Sequence, residues 1–468
     1  MPRRLTAGLL IFAVAFLALE LSVNSVWATD HATSFVQLDY AIWHDHSFAL
    51  TSATKVPPWS VDDFVYRGQN YSALAPGAAF LALPFTGAGF AIAGHYTAYG
   101  PVLLLSETFV ALTGALSAYL VYALASLYFR RSTAMLLGFA FSFSTILWPM
   151  ATYFFQSDPS AMFVLLSAYL GVRAVRHEGA APVLVALSGL AAGLAFTVDY
   201  VNGVLLPIVV AFLLVGKRGS WASGARSAGA FAIGALPGLA AIGFYNYAIF
   251  GNPFVGTEQS YLGVSSVLGS FTTSPAYGLA LDLVSLSRGM LIYTPFLVLG
   301  IIGYMEALRR GPSRLEMWFF FALFLAILVP YSMWYDPFGG LSFGPRFLVA
   351  AIPFLLLPAG FAFEQSTGWK RALVYAAYVA GVVMNGMAAV VSAIPVTTGF
   401  GDSPFVSVIL PGFLHGNLDT SWGFGSPYAL LWGGLLVLSL GVAVPLAAVE
   451  LSLRRESQAH LGAAPLTD

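Results

Sequence analysis

Apolar runs, each close to the length that a helix needs to cross a bilayer, recur along this chain and constrain its fold more than any other feature. A transmembrane helix needs about 20 apolar residues, and 58% of the 468 residues are hydrophobic while only 9% are charged. Lipid offers the backbone no hydrogen-bond partners, and uninterrupted runs favour helices over the alternating pattern of a barrel. The sequence therefore predicts an all-α integral membrane protein.

The positions of the basic residues predict how the chain crosses the membrane. Cytoplasmic loops carry an excess of Lys and Arg. With both termini in the cytoplasm, all of the 20 basic residues fall on the cytoplasmic side except Lys55, Arg67, Arg288 and Arg346. This topology uses twelve predicted spans, at residues 7–28, 101–128, 133–152, 159–175, 181–198, 200–216, 227–247, 290–308, 315–334, 347–363, 371–393 and 428–449.

The longest loop in this topology is the first extracytoplasmic one, residues 29–100, within a single membrane domain that covers 1–468. Residues 72–94 are long enough to cross, but their prolines and glycines disfavour a uniform helix, and a crossing would invert every later loop. We therefore predict an interfacial or re-entrant segment there. Four apolar residues at helical spacing also predict an amphipathic helix on the membrane surface: Phe35, Leu38, Ala41 and Ile42.

The amino terminus has two interpretations. A basic start, an apolar run and the stretch Val26-Trp27-Ala28 before Thr29 resemble a cleavable signal peptide. The apolar run over 5–26 is longer than a usual signal core, which favours an uncleaved first span.

Composition excludes several kinds of site. The chain has no cysteine, which rules out disulfides and thiolate metal sites. It has no basic tail or nucleic-acid-binding motif, so nucleic acid is not a predicted partner.

Four carboxylates stand out by position. Asp30 directly follows the first predicted span, and Asp158 lies in a tight turn before the fourth. Both are expected at the boundary between water and membrane, where a low dielectric strengthens charge interactions. Glu20 and Glu107 lie inside predicted spans, where a carboxylate is costly unless it is paired or faces water. For these two, a structural hydrogen bond and a role in a substrate cavity both stay open.

The order of several motifs resembles a known class of membrane enzymes. The segments are YRGQNYSALAPGAAFLALP from Tyr66, FGNPF from Phe250, SRGMLIYTP from Ser287 and GGLSFGPRFLVAAIPF from Gly339. Together with an aspartate after the first span, they resemble the multi-pass GT-C glycosyltransferases, especially the dolichyl-phosphate-mannose and aminoarabinose transferase group. The resemblance implies a polyprenyl-phosphate sugar donor and a lipid, glycan or protein acceptor. It also implies inverting transfer at the extracytoplasmic face of the cell membrane.

The resemblance also implies roles for individual residues. In that class an acidic residue after the first span acts on the acceptor, and Asp30 matches it here. Two features differ from the better-known members of that class. Their pair of acidic residues is replaced by Asp30-His31 in this chain, and their proline-rich stretch is reduced to LAPG at 74–77. His31, Tyr71 and Asp336 are further candidates for the site, as are Asp158 and Glu107.

Arg346 and Arg288 are predicted to bind the donor phosphate. Each precedes a predicted span on the outer side, at the expected depth of a lipid headgroup, and arginine matches phosphate bidentately. The alternatives are snorkelling to lipid headgroups or pairing with Asp336 or Asp282.

Other readings stay open at this level. Aspartates and histidines that could bind a divalent metal are present, although no spacing is a metal signature: Asp30, His31, His44, His46 and Asp158. A transporter or flippase of a lipid-linked sugar, or a glycan polymerase or ligase, would use similar outer charges. No internal repeat supports the transporter.

Overall fold

Helices make up nearly all of the ordered structure. The computed structural model describes residues 2–24, 29–52, 60–97, 99–177, 181–216, 221–310, 313–392, 394–395, 399–422 and 428–462. Helices and strands of the first half are α1 Pro2–Leu21, α2 Asp30–Tyr40 with a π-helical turn Ala41–Asp45, β1 Asp63–Tyr66, β2 Gln69–Ser72, α3 Gly77–Ala93, α4 Pro101–Ala125, α5 Arg131–Phe143, α6 Leu147–Met150, α7 Ser157–Arg176, α8 Ala181–Val198, a 3-10 helix Tyr200–Val204, α9 Leu205–Gly216 and α10 Trp221–Phe250.

The second half continues the same architecture. Its helices are α11 Thr257–Leu262, a 3-10 helix Val267–Ser270, α12 Pro275–Val284, α13 Met290–Tyr293, α14 Leu297–Arg310, α15 Arg314–Ser332, a 3-10 turn Arg346–Leu348, α16 Ile352–Leu356, α17 Ala359–Glu364, α18 Trp369–Val391, a π-helical turn Phe405–Ile409, α19 Leu410–Leu414, α20 Ala429–Leu435, a π-helical segment Leu436–Ala443 and α21 Val444–Gly462.

The prediction of an all-α membrane protein is confirmed. Among the described residues, five helices are long and apolar enough to cross a bilayer: Pro101–Ala125, Ala222–Phe250, Arg314–Ser332, Trp369–Val391 and Ala429–Gln458. Other predicted spans coincide with shorter or broken helices, so the count of twelve stays a prediction. The first helix ends at Leu21, before the predicted end of the first span, which puts Glu20 in its last turn.

Glycines allow α8 and α10 to pack with their backbones in contact. A Cβ at Gly234 would lie 1.9 Å from the carbonyl oxygen of Ala186, and one at Gly189 would lie 2.0 Å from that of Phe231. Helices in lipid associate through such small residues because close approach maximises van der Waals contact.

Replacing Gly234 with alanine is expected to destabilise the protein by about 1–3 kcal/mol, because the new methyl group would force the two backbones apart. The measurement is thermal unfolding in detergent. Gly229→Ala in the same helix is the control, since a Cβ there would meet nothing within 4 Å. Equal unfolding temperatures for the two variants would contradict the tight packing.

The described part of residues 29–100 folds into a small lobe. Helix α2 is present, as the apolar spacing predicts, but Ala32–Tyr40 is buried on all sides rather than on one face. Thr86 Oγ1 of α3 donates to Asp39 Oδ2 at 2.8 Å, so the two helices are tied together inside the lobe. Strands β1 and β2 form an antiparallel hairpin that the sequence analysis does not predict.

Candidate functional site

The lobe closes over a cavity of about 280 Å³ between the first loop and the ends of several helices. Five carboxylate side chains and a single arginine line it: Asp30, Asp62, Asp199, Glu258, Asp336 and Arg346. His31 and several aromatic side chains complete the wall. The cavity therefore combines one fixed cation with an excess of acidic groups.

Two aromatic rings lie near the buried guanidinium of Arg346. The side chain is only 5% exposed, and its Cζ lies 4.7 Å from the ring centroid of Phe155 and 4.9 Å from that of Phe347. Its Nε is buried and has no hydrogen-bond partner among the described residues. Burial lowers the pKa of Arg346, and the nearby Asp62 and Asp336 oppose that effect. An arginine stays charged in proteins, so this group holds a positive charge with unused hydrogen-bonding capacity.

His31 connects Arg346 to Asp62. Its Nδ1 lies 2.6 Å from Asp62 Oδ2, and its Nε2 lies 3.2 Å from Arg346 Nη2. Burial, followed by the charge of Arg346, lowers the pKa of His31. Burial alone would raise the pKa of Asp62, but the contact with His31 and the charge of Arg346 outweigh it and lower that pKa. The three side chains form one continuous polar chain along the wall.

Asp30 is the first residue of α2 and lies at the exposed side of the cavity. Thr29 caps the helix, because its Oγ1 accepts a hydrogen bond of 3.0 Å from the Ala32 N–H. Asp30 Oδ1 accepts from the Val61 N–H at 3.3 Å. A carboxylate is favoured at a helix amino terminus, so the fold holds Asp30 in place by one oxygen.

Two further acidic residues, Asp199 and Glu258, line the cavity, and the sequence motifs do not identify them. The Tyr331 hydroxyl donates to Asp199 Oδ2, and the Val201 N–H donates to Asp199 Oδ1 at 3.0 Å. Burial, with smaller contributions from Asp199 and Asp62, raises the pKa of Glu258 to about 8. Glu258 is therefore mostly protonated and uncharged at neutral pH. In the sequence, only their location in predicted outer loops makes Asp199 and Glu258 candidates for the site, and the two lie far apart in the chain.

The glycine-rich turn before Arg346 is built by Asp336. Its Oδ1 accepts from the Phe338 N–H at 3.1 Å, and its Oδ2 accepts from the Gly340 N–H at 2.6 Å. Gly339 and Gly340 have φ values of 59° and 65°, which side chains with a Cβ rarely adopt. The turn therefore needs glycine at both positions to bring Arg346 to the cavity.

Arg288 lies behind this turn and is not among the residues that line the cavity. It is 2% exposed. Its Nη1 donates to the Pro337 carbonyl at 3.0 Å, and its Nη2 donates to the Gly344 carbonyl at 3.0 Å. These contacts do not support the prediction that Arg288 binds phosphate directly. They make it a brace for the turn.

Three other candidates also lie outside the cavity lining. Asp158 is buried against α4, where a Cβ at Gly114 would lie 3.3 Å from its Oδ1. Glu107 is 1% exposed in the interior, and Tyr71 packs against Phe64 across the hairpin. The structure thus brings together four of the predicted residues: Asp30, His31, Asp336 and Arg346.

Two further expectations concern Glu20 and a metal. Thr108 Oγ1 donates to Glu20 Oε1 at 3.0 Å, which favours the structural hydrogen bond over a role in the cavity. Within the described part of the chain, no three His, Cys, Asp or Glu residues are grouped so as to hold a metal ion.

Comparisons with known proteins agree with this architecture. A family model described as dolichyl-phosphate-mannose-protein mannosyltransferase matches residues 99–243. The structure of ArnT from Cupriavidus metallidurans bound to undecaprenyl phosphate aligns over 96% of this chain and 75% of that chain, with a TM-score of 0.56 and 14% identity. The same protein in the apo state aligns with a TM-score of 0.55 and 14% identity, over 96% of this chain and 74% of that chain.

An archaeal relative gives a similar match. The oligosaccharyltransferase AglB from Archaeoglobus fulgidus, in complex with an inhibitory peptide and a dolichol-phosphate, aligns with a TM-score of 0.55 and 12% identity. The alignment covers 82% of this chain and 55% of AglB, so the chain spans about half the length of that protein. No curated protein sequence gives a significant match. The fold that the motifs implied is confirmed: this chain is a multi-pass membrane protein with the fold of the GT-C glycosyltransferases.

Proposed function

We propose that this protein is an inverting glycosyltransferase that moves a sugar from a polyprenyl phosphate to a lipid, glycan or protein acceptor at the extracytoplasmic face of the cell membrane. The observation that carries the proposal is the pairing, in one cavity, of a buried arginine, Arg346, and a carboxylate held at the exposed side, Asp30. The undecaprenyl phosphate bound by ArnT and the dolichol-phosphate bound by AglB support this class of donor.

Arg346 supplies the charge that the departing phosphate requires. As the bond between the anomeric carbon and the phosphate oxygen breaks, the electron pair stays on the phosphate and its negative charge grows. A preorganised cation in a largely enclosed site stabilises that charge more than it stabilises the bound donor. Because two aromatic rings and His31 already hold the guanidinium, little reorganisation is needed during the reaction.

Asp30 acts at the other end of the displacement. An acceptor hydroxyl is a weak nucleophile, and a carboxylate against it takes the proton as the oxygen attacks the anomeric carbon. The new bond forms on the face opposite the breaking one, so the configuration inverts and no covalent enzyme intermediate is formed. The lobe of residues 29–100 brings donor and acceptor together at the membrane surface.

The test is incubation of the purified protein with a panel of radiolabelled polyprenyl-phosphate sugars and a mixture of lipid, glycan and peptide acceptors. Transfer of label from one donor is the expected result. Movement of labelled lipid across vesicles without any transfer would favour the transporter instead. Arg346 and Asp30 would then line a binding site without chemistry.

Donor use is expected to weaken as the pH rises through about 8. Glu258 ionises in that range and adds a negative charge to a cavity that must accept a phosphate, so the KM for donor should rise. Glu258→Gln resembles the protonated side chain, and it should keep the neutral-pH activity and flatten the alkaline rise. The measurement is donor KM from pH 6.5 to 9 for both proteins. If donor KM rises equally with pH in both proteins, ionisation of Glu258 is not the cause of the rise.

A further inference from the structure

We infer that His31 and Asp62 form a positioning pair that orients Arg346 for the donor phosphate, with His31 acting as a neutral hydrogen-bond acceptor rather than as a base. The inference rests on the proposed function of the cavity. It assigns a separate task to each member of the Asp30-His31 dipeptide. Asp30 faces the acceptor, and His31 faces the arginine.

The hydrogen-bond geometry determines the tautomer of His31. Arginine has no acceptor atom, so the contact of 3.2 Å between Arg346 Nη2 and His31 Nε2 requires a lone pair on Nε2. The proton of the neutral imidazole is then on Nδ1, which faces Asp62 Oδ2 at 2.6 Å. A protonated imidazole would set one N–H against another. The chain from Asp62 to Arg346 is therefore complete only when His31 is neutral.

Asp62 is itself anchored by the backbone of the lobe. Its N–H donates to Ser60 Oγ at 2.9 Å, and its carbonyl accepts from the Ala73 N–H at 2.7 Å. Ser34 Oγ also contacts that carbonyl at 3.3 Å. The hairpin and α2 thus hold the backbone of Asp62. Its carboxylate contacts His31, and His31 in turn contacts an arginine 315 residues further along the chain.

The pair adds a directional contact to the two aromatic ones. The rings of Phe155 and Phe347 lie near the guanidinium, but a ring gives it no hydrogen-bond direction. The hydrogen bond at Nη2 restrains rotation of the guanidinium in its own plane and so sets the direction of its other N–H groups. Bidentate recognition of phosphate depends on this direction, so the loss of His31 should affect donor binding before it affects chemistry.

Two substitutions distinguish the contact made by Nε2 of His31 from the contact made by its Nδ1. The side-chain oxygen of glutamine in His31→Gln can reach the position of Nε2 and accept from Arg346. Asparagine in His31→Asn is shorter and can contact only Asp62. We expect His31→Asn to raise the donor KM about tenfold or more, as loss of a charged hydrogen bond does, with kcat changed little. His31→Gln should stay within about threefold of wild type in both constants.

Direct binding and spectroscopy test the pair without relying on turnover. Undecaprenyl phosphate should bind His31→Asn about tenfold more weakly than His31→Gln, with equal size-exclusion profiles showing that both fold. In the ¹⁵N-histidine NMR spectrum of the wild-type protein, the His31 signal is identified as the one that is absent from His31→Gln. That signal should be typical of a neutral ring protonated on Nδ1. An imidazolium at neutral pH, or equal donor binding by the two variants, would overturn the inference.

The outcomes distinguish this inference from the proposed function. A loss of kcat with unchanged donor KM in both variants would make His31 a proton-transfer group and overturn the positioning role alone. Failure of the wild-type protein to transfer sugar from any donor would overturn the proposed function. The binding and NMR results would still decide whether His31 orients Arg346.

Discussion

Replacing Asp30 with asparagine is expected to lower the kcat of sugar transfer by about 10²–10⁴, the usual contribution of a general base. The amide keeps an oxygen that can accept from the Val61 N–H, so the start of α2 should stay intact. It cannot take a proton from the acceptor hydroxyl. Donor binding should change little, because the phosphate contacts lie at Arg346. Initial rates at saturating donor, with product counted by radioactivity, measure the effect.

Asp402→Asn is the matched control for this variant. Asp402 is an exposed aspartate of a late outer loop and is not among the residues that line the cavity. Its replacement should leave kcat unchanged. If Asp30→Asn retains full activity in a folded and inserted protein, Asp30 is not the base, and another cavity carboxylate must be considered.

Replacing Arg346 with alanine is expected to lower kcat/KM for the donor by about 10²–10³, comparable to the loss of one preorganised donor at a developing anion. Among the described residues, the cavity would lose the one arginine that lines it and keep five carboxylate side chains. The remaining charge would then repel the phosphate in both the ground state and the transition state. Donor titrations at fixed acceptor concentration separate the change in KM from the change in kcat.

Arg346→Lys tests whether charge alone is sufficient. Lysine keeps the cation but lacks the planar fork and the stacking surface, so it should recover only part of the lost activity. Arg67→Gln removes an exposed outer arginine at the hairpin turn and should leave donor kinetics unchanged. Wild-type donor kinetics in Arg346→Ala would return this residue to the role of a headgroup anchor.

The predicted spans overlap helical segments because length and apolarity are local properties of the sequence. The tenth span, residues 347–363, departs from a continuous helix. It is a 3-10 turn followed by the short helices Ile352–Leu356 and Ala359–Glu364. Pro353 and Pro358 lie in this stretch, and proline lacks the N–H that a continuous helix would need. The position of the span was predictable, and its broken path became evident only in the structure.

The site was partly predictable for a related reason. Asp30 and Arg346 differ from their surroundings by position, since one follows the first span and the other breaks the distribution of positive charge. Asp62, Asp199 and Glu258 have no such local signal. They become site residues because the lobe and the helix ends bring them to one cavity.

Arg288 shows the opposite case. Its sequence context resembles that of Arg346, as an outer arginine before an apolar stretch, and the two were given the same predicted role. In the structure its guanidinium donates hydrogen bonds to the carbonyls of Pro337 and Gly344. Sequence indicates that a cation is present at this depth, but only packing decides whether its donors face a ligand or the backbone.

The sequence by itself predicted a helical membrane protein, the positions of its apolar spans and Arg346 as an exception to the distribution of positive charge. These follow from the cost of exposing backbone and charge to lipid, which acts on each segment separately. Only the tertiary structure decided that His31 lies between Asp62 and Arg346 and that Arg288 supports the turn from behind. Those relations depend on contacts between segments hundreds of residues apart, whose distances and hydrogen-bond directions exist only once the chain has packed.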